Sequence, residues 1–454
     1  MENCKSLLNA ERTSAPVGSR CQQGVLEVDF SEIPLAIHWA KECFGSGGNG
    51  KPLSISIEDL QRVKDALLSL REDLYSCAKE ESGRTRADFD LELKTLLRYL
   101  EAFQAAHPGL QGCVPRGVSV WIGSSVWPIH YGTQALLANL FAGNALIFKP
   151  SEKVTRIVLK WVQALRELGG PFQTVQVIVG EKETGRRLVC HEDVDLVMVQ
   201  GTYETGMRVR QDTLSSPGKE VLLFLGAKNP VILNREPDLD LCKKILENAF
   251  VCAGQHCMST PLLFVRSDHL EQTRMMILRA HHEMVASDDA GEFWFGPFQD
   301  QARLERYLKF IHVLEKEGAR LEKRGNRDRE RLESCFASAT VAIFPALSRT
   351  QTRKMESFQV EVLGPHLSIV PFENLTDLEA LLGGLSFGMA SSYFGDPSEI
   401  QGILSRNPLG TIALNHGSFE LNPWRAPIAR KKSGNHGRFG QQLLDQVCLE
   451  RVQK

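Results

Sequence analysis

The chain has 454 residues, with 53 Lys+Arg against 55 Asp+Glu and a net charge of −2. That length accommodates two or three domains, and so balanced a charge gives no global basic field to argue for nucleic acid. The most apolar run, residues 135–148, is interrupted by Asn139 and Asn144 and is shorter than a membrane span. No membrane association is expected. The N-terminus opens Met-Glu-Asn-Cys-Lys and has no continuous apolar stretch of the secretory kind. Eleven cysteines, scattered and without paired metal spacing, point to reduced thiols in a cytoplasm and to no metal site.

In chain order, residues 1–50 are poorly patterned, and Gly45-Ser-Gly-Gly-Asn-Gly50 reads as a flexible loop. A loosely ordered N-terminal arm is expected there. From Ser56, the residues Leu60, Val63, Leu67, Leu70 and Leu74 fall on one helical face. Glu81-Ser-Gly-Arg84 breaks that pattern, and a second helix is expected over 89–105. Strands are then expected at 118–123, 144–148, 175–179, 194–199 and 221–225, with helices over 155–168 and from about Glu204. This alternation predicts a parallel sheet with crossover helices. Beyond Lys228 it restarts, giving a second α/β domain. The basic run 425–432 is read as solvated surface.

Two stretches carry chemistry. Gly201-x-x-x-x-Gly206 follows an apolar strand and opens a helix, which aims backbone N–H groups at a pyrophosphate, although it is not the GxGxxG fingerprint. In Phe250-Val-Cys-Ala-Gly-Gln-His-Cys257, Gly254 and Gln255 let the backbone bend closely around a thiol. A cysteine at such a bend lies near N–H groups that lower its pKa and can hold an oxyanion. The bland alternative for Cys257 is a small buried hydrophobe.

Phe-x-x-x-Gly-Gln-x-Cys resembles the nucleophile signature of the aldehyde dehydrogenase superfamily. Lys149-Pro-Ser-Glu152, Gly201-Thr-Tyr-Glu-Thr-Gly206, Leu225-Gly-Ala-Lys-Asn-Pro230 and Glu361-Val-Leu-Gly-Pro365 accompany it in family order. Within the superfamily the wording is most similar to succinylglutamate-semialdehyde dehydrogenases, through Lys149-Pro-Ser-Glu152, Pro217-Gly-Lys and Ser433-Gly-Asn-His436. The resemblance implies an α/β fold: a Rossmann-type parallel-sheet cofactor domain at 51–227 and a second α/β catalytic domain at 228–420. Residues 421–454 would then return to the cofactor domain and the oligomerisation region. It further implies NAD as cofactor, a small aldehyde as substrate, and Cys257 as nucleophile. By the same resemblance, Lys149 and Glu152 would hold the adenosine ribose, Gly201, Thr202 and Gly206 the phosphates, and Glu361 the nicotinamide ribose. A homodimer is implied as well, though the family's joining hairpin is shortened here to residues 106–117.

The chain departs from the family at three positions. Val126 stands where an asparagine helps hold the oxyanion, and Phe224 where a glutamate activates water. Pro427-Ile-Ala-Arg430 replaces a Pro-Phe-Gly-Gly turn. Three readings stay open: oxidation of a semialdehyde-type substrate with an impaired hydrolytic step, acyl transfer to coenzyme A, and a catalytically weakened relative kept for binding or assembly.

Overall fold

The computed structural model describes residues 29–45, 55–106, 113–283, 296–323, 335–406, 409–421, 428–435 and 440–451. The Gly-rich stretch 46–50, Arg425, Pro427 and His436 lie outside them. The chain divides into two compact units. One comprises Met1–Glu81, Glu92–Phe224 and Phe439–Lys454, and the other Ser82–Leu91 and Leu225–Arg438.

The first unit begins with a correction. Residues expected to be loose form helix α1 (Glu32–Gly45), because Ile33, Ala36, Ile37 and Ala40 recur at helical spacing and are buried. Gln176 Nε2 donates to the Ala36 carbonyl and ties α1 down. Helices α2 (Ile57–Ser69) and α3 (Arg71–Ser82) follow; Ser56 and Asp59 close a capping box on α2. Helix α4 (Arg86–Ala106) then leads to strand β1 (Cys113–Pro115).

Strands β2 (Val118–Ile122), β3 (Ala145–Lys149), β4 (Gln176–Val177), β5 (Leu196–Gln200) and β6 (Glu220–Phe224) form a sheet of order β4-β3-β2-β5-β6. Helices α5 (Pro128–Ala142), α6 (Thr155–Glu167) and α7 (Lys182–Cys190) lie in turn between β2, β3, β4 and β5 along the chain. Every pairing in the sheet is parallel. Strands β3 and β5 are buried at every position, the near-continuous apolar reading of a parallel strand. The two asparagines that break the apolar run act as connectors. Asn144 Oδ1 accepts from the amides of Arg116 and Gly117, and its Nδ2 donates to Asn139 Oδ1 and the Val447 carbonyl. Strand β1 pairs antiparallel with the C-terminal strand Cys448–Arg451. Cys448 is disulfide-bonded, whereas seven described cysteines are free, so the expectation of reduced thiols throughout does not hold.

In the second unit β7 (Pro230–Leu233), β8 (Leu262–Arg266), β9 (Arg320–Lys323), β10 (Thr340–Ile343), β11 (His366–Phe372), β13 (Ala390–Phe394) and β14 (Thr411–Leu414) form a seven-stranded sheet. Its order is β14-β13-β7-β8-β11-β10-β9, parallel except for the edge pair β9–β10. The short strand β12 (Phe387–Gly388) pairs outside it with Arg430–Lys431. Among the described residues no helix is long and apolar enough to cross a membrane.

Candidate active site

In the first unit the strand order reverses between β2 and β5, since β3 and β4 lie on one side and β6 on the other. Ligands of open parallel sheets bind outside the carboxyl ends of the strands at such a reversal. The loops leaving those ends contain the residues singled out above. After β5, Gly201 leads into helix α8 (Tyr203–Asp212), where Thr202 is the N-cap and its hydroxyl accepts from the Thr205 amide at 3.3 Å. Gly206 is buried within that helix. After β3, Lys149 is buried, and Ser151 caps a short 3-10 turn on which Glu152 is exposed. After β2, Trp127 takes φ 49° and starts α5, all of whose residues are buried. An exposed carboxylate on the loop after β3 and a capped helix start after β5 are groups of the kind that take the ribose and pyrophosphate of a dinucleotide.

Val126 is half-buried on that last loop, and its carbonyl accepts from Ser124 Oγ. Phe224 ends β6 and is buried, its ring centroid 5.8 Å from that of Trp121. Neither residue brings an ionisable group, and Phe224 is part of the packed interior of its unit.

In the second unit the residues of interest sit at the amino ends of the strands. Asn229 directly precedes β7, Cys257 to Pro261 lead into β8, Gly364 and Pro365 precede β11, and Met389 precedes β13. Because β13, β7, β8 and β11 are parallel neighbours, these four loops share one sheet edge. Helix α9 (Leu239–Phe250) delivers the cysteine loop. It is capped by Asp238 and held by buried Leu241, Ile245, Ala249 and Phe250.

Past α9 the backbone enters the left-handed region for three residues running, Cys252 (φ 52°), Ala253 (φ 54°) and Gly254 (φ 66°). For non-glycine residues that conformation costs of order 1–3 kcal/mol each and persists only where the surroundings hold it. Glycine is required at 254 on space as well, because a Cβ there would lie 2.1 Å from the Gly364 carbonyl oxygen. Gly364 in turn lies on Tyr307, whose hydroxyl bonds to Thr340 Oγ1 and to the Pro365 carbonyl.

Two buried side-chain amides hold the rest of the loop. Gln255 Nε2 donates to the Cys252 and Pro297 carbonyls, and its Oε1 accepts from the Gln299 amide and Arg303 Nη1. Asn229 Nδ2 donates to the carbonyls of Cys257 (2.8 Å) and Ser259 (2.9 Å), and its Oδ1 accepts from the Ala390 amide (3.1 Å). Cys257 itself is half-buried against the cluster of Ala227, Met258, Met389 and Ala390. The result is a thiol with partial solvent access on a loop tied down along its backbone.

Glu361 has a backbone partner within its own unit. Its Oε1 accepts from the Ala227 amide at 2.7 Å, and its carboxylate occupies the space a Cβ at Gly226 would need. It therefore braces the segment that carries Asn229. Lys228 and His366 carried no assigned role in the sequence. Lys228 is buried, donates to the Val360 carbonyl and lies 5.2 Å from the Phe310 ring centroid. Burial pushes its ammonium down to about 8, partly offset by the Glu361 charge. Burial likewise holds His366 neutral, down to about 3. Nothing short-range in the sequence marks Lys228 as interior, and a lysine is read by default as solvated.

The lysine makes a testable contribution. Between about 8 and its ordinary value of 10.5, the unfolded chain keeps a proton that folded Lys228 has lost, so stability rises with pH across that window. Lys228→Met never charges and lacks this dependence. In urea titrations at about pH 8 and about pH 10, the stability difference is expected to move in favour of the wild type at the higher pH. An unchanged difference would place the ammonium in water.

Comparison with known proteins accords with this arrangement. The model of the aldehyde dehydrogenase family matches residues 13–451. An N-succinylglutamate 5-semialdehyde dehydrogenase of Novosphingobium aromaticivorans is 25% identical over 389 residues, 80% of each chain. A betaine aldehyde dehydrogenase of Rhizobium leguminosarum is 30% identical over 330 residues, 72% of this chain and 66% of the relative. Among solved structures, aldehyde dehydrogenase C of Pseudomonas syringae, complexed with NAD+ and octanal, superposes with TM-score 0.83 at 20% identity, covering 92% of this chain and 87% of that one. Betaine aldehyde dehydrogenase of Staphylococcus aureus in complex with NAD+ gives 0.82 at 21% identity, with 93% and 86% covered. The chain belongs to the aldehyde dehydrogenase family.

Proposed function

We propose that this protein is an NAD-dependent oxidoreductase that oxidises a semialdehyde-type substrate at Cys257 and releases the acid slowly. The observation that carries the reading is a partly accessible thiol on a loop tied at both flanks by Gln255 and Asn229, in a chain of this family. The Cys257 thiolate adds to the aldehyde carbon, opening its C=O bond and placing charge on oxygen. Loss of hydride from that carbon restores the C=O as a thioester on Cys257. NAD, when bound, supplies the hydride acceptor. Water then displaces the Cys257 thiolate and yields the acid.

Within the first unit, Lys149 and Glu152 would hold the ribose, and Gly201, Thr202 and Gly206 the phosphates. Glu152 would repel a 2'-phosphate, which favours NAD over NADP. The semialdehyde preference is supported by the similarity to the Novosphingobium enzyme, and a cytoplasmic homodimer is the expected setting. A second reading, transfer of the acyl group to coenzyme A, is favoured by Phe224: a route that needs no water-activating base tolerates a ring there.

Thermal unfolding with millimolar NAD or NADP tests the cofactor assignment. NAD should stabilise more than NADP, as linkage requires of a ligand bound only by the folded state. Glu152→Gln should narrow that preference. No stabilisation by either nucleotide would remove the assignment.

A further inference from the structure

We propose that Asp88 is the positioning residue of the nucleophile, holding from a distant stretch of chain the left-handed turn that sets Cys257 in place. The inference rests on Cys257 being the nucleophile. Residues 82–91 pack with the second unit, although they stand far from it in sequence. Asp88 is buried, and its Oδ1 accepts the Cys252 amide proton at 2.9 Å across 164 positions. The Thr85 hydroxyl accepts from the Asp88 amide at 3.2 Å, and the Arg84 charge lies nearby.

The Cys252 amide is where the backbone enters its three left-handed residues, two of them non-glycine. Such a turn needs an external anchor at its first residue. Asp88 provides one on the Cys252 amide, and Gln255 Nε2 provides another on the Cys252 carbonyl. The two anchors are seated on common ground. A Cβ at Gly83 would lie 2.7 Å from Pro297 Cγ, and one at Gly296 would lie 2.7 Å from Thr85 Cγ2. The Asp88 arm thus rests on the same segment whose Pro297 carbonyl accepts from Gln255. Asp88 touches no reacting atom. It acts through the loop, on where the thiol lies.

The test is the rate of Cys257 alkylation by iodoacetamide in the full-length protein, mapped by peptide mass spectrometry between about pH 5 and pH 9. Asp88→Asn keeps an acceptor oxygen and should stay close to the wild-type rate and pH midpoint. Asp88→Leu removes the anchor and should slow the reaction on the order of 10-fold below the midpoint, where a thiol pKa about one unit higher leaves about a tenth of the thiolate. Its midpoint should rise to match. Adding Cys252→Gly, which takes φ 52° without strain, should restore much of the loss. Should Asp88→Leu fail to fold, Asp88→Ala with and without Cys252→Gly makes the same comparison. An anchorless variant with unchanged rate and midpoint would overturn the role of Asp88. A wild-type protein in which another thiol reacts ahead of Cys257 would instead overturn the nucleophile assignment on which it rests.

Discussion

Mixed with NAD and a good aldehyde, the protein is expected to release close to one equivalent of NADH in a burst and then turn over very slowly. The reason is local to Phe224. In the resemblance to the family this position activates the water that cleaves the thioester, and here it holds a buried ring packed on Trp121. A phenyl group cannot take a proton, and loss of a general base typically costs about 10²–10⁴ in rate. Stopped-flow absorbance at the NADH band shows both phases. Coenzyme A added after the burst should restart turnover if the acyl group is passed to a thiol. It should change nothing if the chain is a catalytically weakened relative that makes the thioester and stops there. Phe224→Glu should speed deacylation, although it buries a carboxylate beside Trp121 and will lower stability. Val126→Asn is the companion change, since loss of an oxyanion donor costs on the order of 10²–10³. Steady oxidation without a burst at around ten per second, an ordinary enzymatic rate, would show that another base reaches the thioester.

The second large effect is expected at Asn229. Its side chain serves three buried backbone groups, the carbonyls of Cys257 and Ser259 and the amide of Ala390, at the shared edge of β13, β7 and β8. Asn229→Ala leaves all three without that partner. Unpaired buried groups cost about 1–3 kcal/mol each, so a loss on the order of 3 kcal/mol in the second unit is expected. Released from Asn229, Cys257 should also lose acylation rate on the order of 10²-fold, the scale of a 1 Å displacement. Asn229→Asp keeps the acceptor for Ala390 but sets a carboxylate against two carbonyls, and should do worse than alanine in acylation. Urea titration and single-turnover NADH formation measure the two effects separately. An Asn229→Ala protein of wild-type stability with wild-type acylation would show that the loop is held by other means.

Much of this was legible from residue pattern alone. The strands of the first unit are buried on both faces, so their apolar runs stood out, and the ends observed differ by a few residues from those expected. Helix α1 was not legible, because its apolar set Ile33, Ala36, Ile37 and Ala40 includes two alanines that composition does not mark as core. The candidate cysteine loop was legible because Gly254, Gln255 and Cys257 fall within four consecutive residues. What holds that loop was not. Asp88, Asn229, Gln299 and Tyr307 come from separate stretches of chain, and only the fold brings them to one place. For Glu361 the motif was plain, but its bond from the Ala227 amide was not, because that partner lies 134 positions away.

The central claim is that Cys257 carries the acyl group, and mass spectrometry of the quenched reaction tests it most directly. After brief mixing with NAD and an aldehyde, the peptide containing Cys257 should carry the mass of the corresponding acyl group. That adduct should be lost on treatment with hydroxylamine, as a thioester is, and should be absent from Cys257→Ala. An acyl group found on a different residue, or NADH formed with the Cys257 peptide unmodified at every time point and in Cys257→Ala alike, would contradict it.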